Sequence, residues 1–182
     1  MRISTLAIFM ILGVAASQAQ VSLVRKKIGQ DISIKIPETF IAMSEAERNQ
    51  KYVSYRSPLA MFTNIERTVD LGINETSSTW QADDLVILKD FYKANILSLY
   101  NEVSFDQETI ESIGSRDYIV FEFSSKVFNE GGFRKDAVAK YTYIQYTLFN
   151  DKVLLFHFSS PFLLRSQWQP VAQEIMKSVR LQ

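Results

Sequence analysis

The amino-acid sequence predicts an α+β fold in which one antiparallel β-sheet is covered by helices on both faces, an α/β/α sandwich. Three observations carry that prediction. The predicted order is strands, a helix, four consecutive strands and a second long helix, and helices so placed must lie over an antiparallel sheet. The four consecutive strands are separated by turn signals at Gly114-Ser115, Glu130-Gly131-Gly132 and Asn150-Asp151. Within Arg116–Val127, Ile119, Phe121 and Phe123 are apolar, yet Tyr118 and Val120 at the alternate positions are apolar too. A sheet wet on one face would alternate more cleanly, so both faces are expected to be buried.

Residues 1–19 read as a targeting segment. Met1-Arg2 supplies a positive end, Leu6 to Ala16 is an unbroken run of small and apolar residues, and Ser17 and Ala19 stand at the −3 and −1 positions of a cleavage site. The run is shorter than the roughly 20 apolar residues that cross a bilayer, and no later segment reaches that length. The expectation is a signal peptide removed on export, a single domain over residues 20–182 with no repeat or linker, and no membrane span in the mature chain. Export without any cysteine fits a bacterial periplasmic or secreted protein better than a eukaryotic secreted domain.

Along that domain, Asp31–Ile36 alternates with period two and stops at Pro37, which cannot donate to a strand ladder. Ser44 followed by Glu47 is a capping-box pattern and predicts a short helix. Tyr52–Tyr55, Leu59–Ile65 and Arg67–Ile73 read as strands. A helix begins after Asp83 or Asp84 and carries Leu85, Leu88, Tyr92, Ile96 and Leu99 at helical spacing. Val103–Ile113, Arg116–Val127, Ala137–Phe149 and Lys152–Ser160 form the meander. A final helix is expected to be capped by Ser166, with Pro170 in its first turn and an apolar stripe of Leu164, Trp168, Val171, Ile175 and Val179.

Composition narrows the chemistry. The 182 residues carry 20 Lys and Arg against 20 Asp and Glu, so the basic field that nucleic-acid binding leans on is missing. Zero cysteines exclude disulfide frameworks, thiolate metal sites, iron–sulfur clusters, cysteine nucleophiles and a lipobox. One histidine excludes a multi-histidine metal site. Six glycines and four prolines exclude collagen-like and low-complexity classes. Asp83-Asp84 reads as helix-cap charge, and Glu45, Glu47, Glu108 and Glu111 lack the spacing and glycine of a calcium loop. No metal and no cofactor is expected.

The opening Ile34-Lys35-Ile36-Pro37-Glu38-Thr39-Phe40, the short helical stretch after it and the strand at Leu59–Thr63 resemble the start of the PsbP-like superfamily, which includes PsbP, MOG and DcrB. The ending Trp168-Gln169-Pro170-Val171-Ala172-Gln173-Glu174-Ile175-Met176-Lys177-Ser178 is similar to its last helix. The resemblance spans most of residues 28–182 and rests on pattern and element order. It implies an α/β/α sandwich that acts as a binding or assembly module without enzymatic activity. It transfers no partner and no site residue.

Three places carry candidate binding residues. His157 lies inside a predicted strand; no Gly-x-Ser-x-Gly elbow accompanies it, so a triad has no recognisable nucleophile. A two-residue hairpin at Asn150-Asp151 sets Phe149 opposite Lys152 and Ile144 opposite His157. A hairpin centred on Gly131 sets Glu122 opposite Lys140 and Tyr118 opposite Ile144. Tyr118, Glu122, Lys140, Thr142 and His157 then share one face as a polar pocket for a small ligand, or Glu122 and Lys140 form a plain cross-strand pair. Opposite Glu122 and Lys140 faces would remove that pocket. Phe128 and Phe133 flank the Gly131-Gly132 pair beside Arg134, residue types that anchor interfaces, or else both rings fold back on the sheet. Two functions from different classes follow. One is a non-enzymatic binding or assembly module of the bacterial envelope that contacts another protein. The other is a carrier of a small apolar or amphipathic ligand held between sheet and helix, which needs an enclosed apolar cavity.

Overall fold

The structure is a computed structural model and describes residues 21–52, 57–77, 80–128 and 137–182. The leader expected at 1–19, most of the strand expected at Tyr52–Tyr55, and both Phe133 and Arg134 lie outside the described residues.

Among those residues the chain forms two sheets and three α-helices. A small sheet joins β1 (Leu23–Ile28), β2 (Ile32–Pro37) and the C-terminal β10 (Arg180–Leu181), in the order β1-β2-β10. The large sheet has seven strands: β3 (Ile41–Ala42), β4 (Ala60–Thr63), β5 (Asp70–Ser77), β6 (Glu102–Ile113), β7 (Arg116–Phe128), β8 (Ala137–Phe149) and β9 (Lys152–Pro161). Their order is β3-β4-β5-β9-β8-β7-β6, every pair antiparallel. The helices are α1 (Glu45–Lys51), α2 (Leu85–Leu99) and α3 (Arg165–Lys177).

Both faces of the large sheet are buried, as the double-sided apolar strands require. On one face α2 sets Leu88 and Ile96 against Ile119, Phe121, Phe123, Ile144 and Tyr146. Lys89 and Lys93 pin this helix, reaching Glu108 of β6 at 2.9 and 2.6 Å and holding its carboxyl below the usual range. On the other face Trp168, Ile175 and Met176 of α3, with Ile34 and Ile36 of β2, cover Val120, Tyr141, Tyr143, Phe156 and Phe158. Each fully buried large apolar side chain contributes about 1.5–3 kcal/mol. At the β6 edge a bulge after Phe105 frees Asp106 from the ladder, and its carboxylate meets Arg165 at 2.9 Å.

Local chemistry accounts for most element boundaries. The Ser44 hydroxyl accepts from the Glu47 amide while the Glu47 carboxylate accepts from the Ser44 amide, so the capping box forms as expected. Ser44→Ala is expected to lower stability by about 1 kcal/mol, read as a shift in the urea midpoint; an unchanged midpoint would show that α1 is held by its tertiary contacts alone. Asn150 and Asp151 both adopt positive φ, 50° and 57°, which is the twist a two-residue hairpin needs. That turn fixes Phe149 opposite Lys152 and Ile144 opposite His157, the predicted register.

Several expectations are corrected. Phe128 pairs with Ala137 and Glu122 with Tyr143, so the β7–β8 hairpin is not centred on Gly131. The partner of every β7 residue is displaced by three positions, an odd number, and an odd slip reverses the face of one strand relative to the other. Ser125, not Glu122, opposes Lys140, and Phe121, not Tyr118, opposes Ile144. At α3 the helix starts at Arg165, so Ser166 lies inside it and caps nothing. Pro170 sits beyond the first turn, where its missing N–H removes one helical bond. Asp84 does flank α2, but its carboxylate accepts from the Gln81 amide rather than from the helix. The strand expected at Arg67–Ile73 runs from Asp70 to Ser77, because Arg67 takes positive φ in the turn before it.

Candidate functional site

On the α2 side of the sheet, α2 lies over β6–β8, and its apolar cluster reaches β9 at Val153 and Leu155. The half made by β4, β5 and β9 is roofed instead by α1 and by the chain at Ser57-Pro58, and a cavity of about 360 Å³ opens between the two roofs. Strand alternation decides its floor. His157 opposes Gly72 on one side and Ile144 on the other, so its side chain rises on the same face as Asn74 and Leu155 and as Lys140 and Thr142. Gly72 contributes no side chain, which leaves room beside the imidazole. Its backbone is ordinary extended strand, and a Cβ there would meet only Asn74 Nδ2 and Met61 at 3.7 Å. Arg48 and Tyr52 form one wall and Tyr100, at the end of α2, the other.

The α1 wall is anchored by a buried carboxylate. Asp70 accepts from the Thr63 hydroxyl at 2.7 Å and from the Tyr52 hydroxyl, and Lys51 Nζ approaches it to 2.6 Å. Burial and the adjoining Asp70 carboxylate push the Tyr52 phenol up, so it stays a donor. The negative charge of Asp70 is thus matched within the wall.

The floor is different. Among the described residues, the side chains of Lys140, Asn74, Thr142 and His157 have no hydrogen-bond or ion-pair partner, and Arg48 makes only a 3.3 Å bond to the Met43 carbonyl. Burial, followed by the nearby Lys140 ammonium, lowers the imidazole to about 4, with Asp70 opposing in part. A neutral imidazole offers one donor and one acceptor.

The seven candidate residues therefore divide. Lys140 and His157 share the cavity, with Thr142 between them. Tyr118 and Glu122 lie on the opposite face, beneath α3, so the single polar pocket uniting Glu122 with Lys140 does not exist. Glu122 is buried and accepts from Tyr141 Oη at 2.9 Å, Gln169 Nε2 at 2.6 Å and Gln173 Nε2 at 3.0 Å, which makes it the polar node between sheet and α3. Tyr118 packs in the apolar layer beside it, and burial pushes its phenol up to about 12. Phe128 closes β7, its amide donating to Asn101 Oδ1 at 2.9 Å. Arg48, Asn74 and Tyr100 belong to the cavity but were not candidates from sequence: Asn74 comes near His157 through the pairing of β5 with β9, and Arg48 and Tyr100 through the placement of α1 and the end of α2. No group of three or more His, Asp or Glu side chains converges as a metal site among the described residues, and no helix there is long and apolar enough to cross a membrane.

Neither a protein-family model nor a curated protein sequence matches the chain. Solved structures do. The chain is similar to cyanobacterial PsbP (CyanoP) from Synechocystis sp. PCC 6803, with a TM-score of 0.63 at 14% identity over 94% of this chain and 99% of that one. It is similar to the Saccharomyces cerevisiae Ran-binding protein Mog1p, at 0.59 and 12% identity over 89% and 96%. It is also similar to LpqN, described as involved in cell envelope biogenesis of Mycobacterium tuberculosis, at 0.54 and 8% identity over 90% and 92%. The fold is the PsbP/MOG-like sandwich that the sequence pattern resembles; the likeness is structural.

Proposed function

We propose that the chain is an exported, non-enzymatic binding module of the bacterial envelope that docks another protein over the outer face of α2. The leader pattern in residues 1–19 supports export. One structural neighbour is described as Ran-binding and another as taking part in envelope biogenesis, both compatible with a scaffold used for contact rather than catalysis. At His157, no carboxylate orients the imidazole and no hydroxyl is bonded to it among the described residues, so the roles a triad needs are unfilled.

The observation that carries the reading is α2 itself. Its inner side buries Leu88 and Ile96, yet Val86, Ile87, Phe91, Leu97 and Leu99 on the remaining sides are exposed, Leu99 by 68%. Large apolar side chains exposed together on one helix commonly mark a contact surface. Ile87, Phe91 and Ala94 recur at the three-to-four spacing that receives the apolar ridge of a partner helix. A lipid surface fits less well: Lys89 and Lys93 are both engaged by Glu108, and Asp90 stands within the stripe. A carrier of a small apolar or amphipathic ligand is supported less: the layers beneath α2 and α3 are filled by side chains, and the cavity beside α1 mixes Met61 and Leu155 with Lys140, Thr142 and His157.

The test is affinity capture from envelope extract with the wild-type protein and an Ile87→Glu/Phe91→Ser variant, both checked for equal melting temperature. One protein retained by the wild type and reduced at least tenfold by the variant supports the docking face. Equal capture by both, or self-association abolished by the variant in place of capture, overturns it.

A further inference from the structure

We infer that the cavity between α1 and the β5–β9–β8 floor is a binding site for a small organic anion of monosaccharide size, one carboxylate or phosphate group with hydroxyls. Lys140 and Arg48 take the charge, and His157, Asn74 and Thr142 take the hydroxyls.

Four observations lead there. First, the charge is unbalanced. Asp70 is matched by Lys51, and among the described residues Arg48 and Lys140 line the cavity against one lining carboxylate, Glu45. Among the described residues no carboxylate lies within ion-pair distance of Arg48, which is half-buried, or of Lys140, which is exposed at the mouth, so both cations are free to meet an anion. Second, three directional groups converge unpaired. His157 and Asn74 are half-buried and Thr142 is buried, and a neutral imidazole, an amide and a hydroxyl together offer the mixed donors and acceptors that sugar hydroxyls use. Third, the size fits. About 360 Å³ lies at the low end of the roughly 300–1,000 Å³ typical of small-molecule sites. Fourth, the floor is rigid. His157, Thr142 and Gly72 sit on central strands, and α1 is pinned by the Asp70 cluster, so the groups are held in place before a ligand arrives. Met61 and Leu155 add apolar patches for the ring faces.

This site is separate from the outer face of α2, so capture and titration succeed or fail independently. The test is titration of the purified protein with glucuronate, glucose 6-phosphate and glucose, followed by calorimetry or by amide chemical shifts. Glucuronate or glucose 6-phosphate is expected to bind at least tenfold more tightly than glucose, the better of the two identifying a carboxylate or a phosphate site, and binding should weaken with salt. Lys140→Met is expected to remove that preference. Gly72→Val fills the floor beside His157 without disturbing extended backbone and is expected to weaken every probe at least tenfold, with an unchanged melting temperature for Lys140→Met serving as the folding control. Binding of glucose as tight as that of both anions, wild-type affinity in both variants, or no binding of any of the three probes overturns the proposal.

Discussion

Glu122→Ala is expected to destabilise the protein by about 2–4 kcal/mol, more than any ordinary surface substitution. The carboxylate serves three donors at once, Tyr141, Gln169 and Gln173, beneath α3. Truncation strands the Tyr141 phenol in the core, where burial and then the Glu122 charge already push it up and hold it protonated. An unsatisfied buried donor costs about 1–3 kcal/mol, and the void left by the side chain adds to it. The partly buried glutamine amides recover some of their loss by turning to water. Glu122→Gln keeps one acceptor oxygen, and the Tyr141 hydroxyl can reverse to accept, so this variant should lose only about 1 kcal/mol. Urea unfolding of both proteins checks the pair. An alanine variant within about 0.5 kcal/mol of wild type, the range of a neutral surface change, or a glutamine variant as weak as alanine, would show that apolar packing alone holds α3. Against a total of about 5–15 kcal/mol, the expected loss is large enough to show in expression and melting temperature.

The second large effect is a loss of stability between neutral and mildly acidic pH. The unfolded imidazole titrates near 6.5 and the folded one at about 4. Between these values the unfolded chain binds a proton that the native chain refuses, so unfolding becomes easier as pH falls through this window and levels off below it. Above 6.5 both states are neutral and His157 contributes no pH dependence. The interval corresponds to at most about 3 kcal/mol, and partial exposure at the cavity floor brings the expectation to about 2 kcal/mol. Carboxylates titrate in the same window, so the measurement is the difference between wild type and His157→Gln in unfolding free energy at pH 7 and pH 4. The variant should lose about 2 kcal/mol less than wild type. Parallel pH profiles would mean that the imidazole is as well solvated folded as unfolded.

The parts of the fold written in local chemistry were legible in the sequence. The capping box of α1, the limits of β8 and the Asn150-Asp151 turn all follow from a few adjacent residues. That turn fixed the β8–β9 register, and with it the neighbours of His157. The β7–β8 connection gave no such constraint: Gly131-Gly132 permits several centres, and a three-residue error moved Glu122 to the wrong face. Strand β1 escaped notice because Arg25, Lys26 and Lys27 interrupt any alternation; it is held by pairing with β2 along its whole length. The anion cavity was half visible. Lys140, Thr142 and His157 fall together once β8 and β9 pair, but Asn74 and Gly72 arrive through β5, far earlier in the chain, and no local signal announces that partnership.

The place of β9 has a consequence for how the molecule comes into being. Strand β9 joins β4–β5 on one side to β6–β8 on the other, and it starts only at Lys152. A polypeptide that stops short of Lys152 has the strands of both half-sheets but not the one that lies between them. Strand β10 in turn fastens to β2, from which it is separated by most of the described residues: Arg180 and Leu181 lie beside Ser33 and Ile32. The large sheet closes only once Lys152–Pro161 are in place, and contacts of such long sequence separation form slowly.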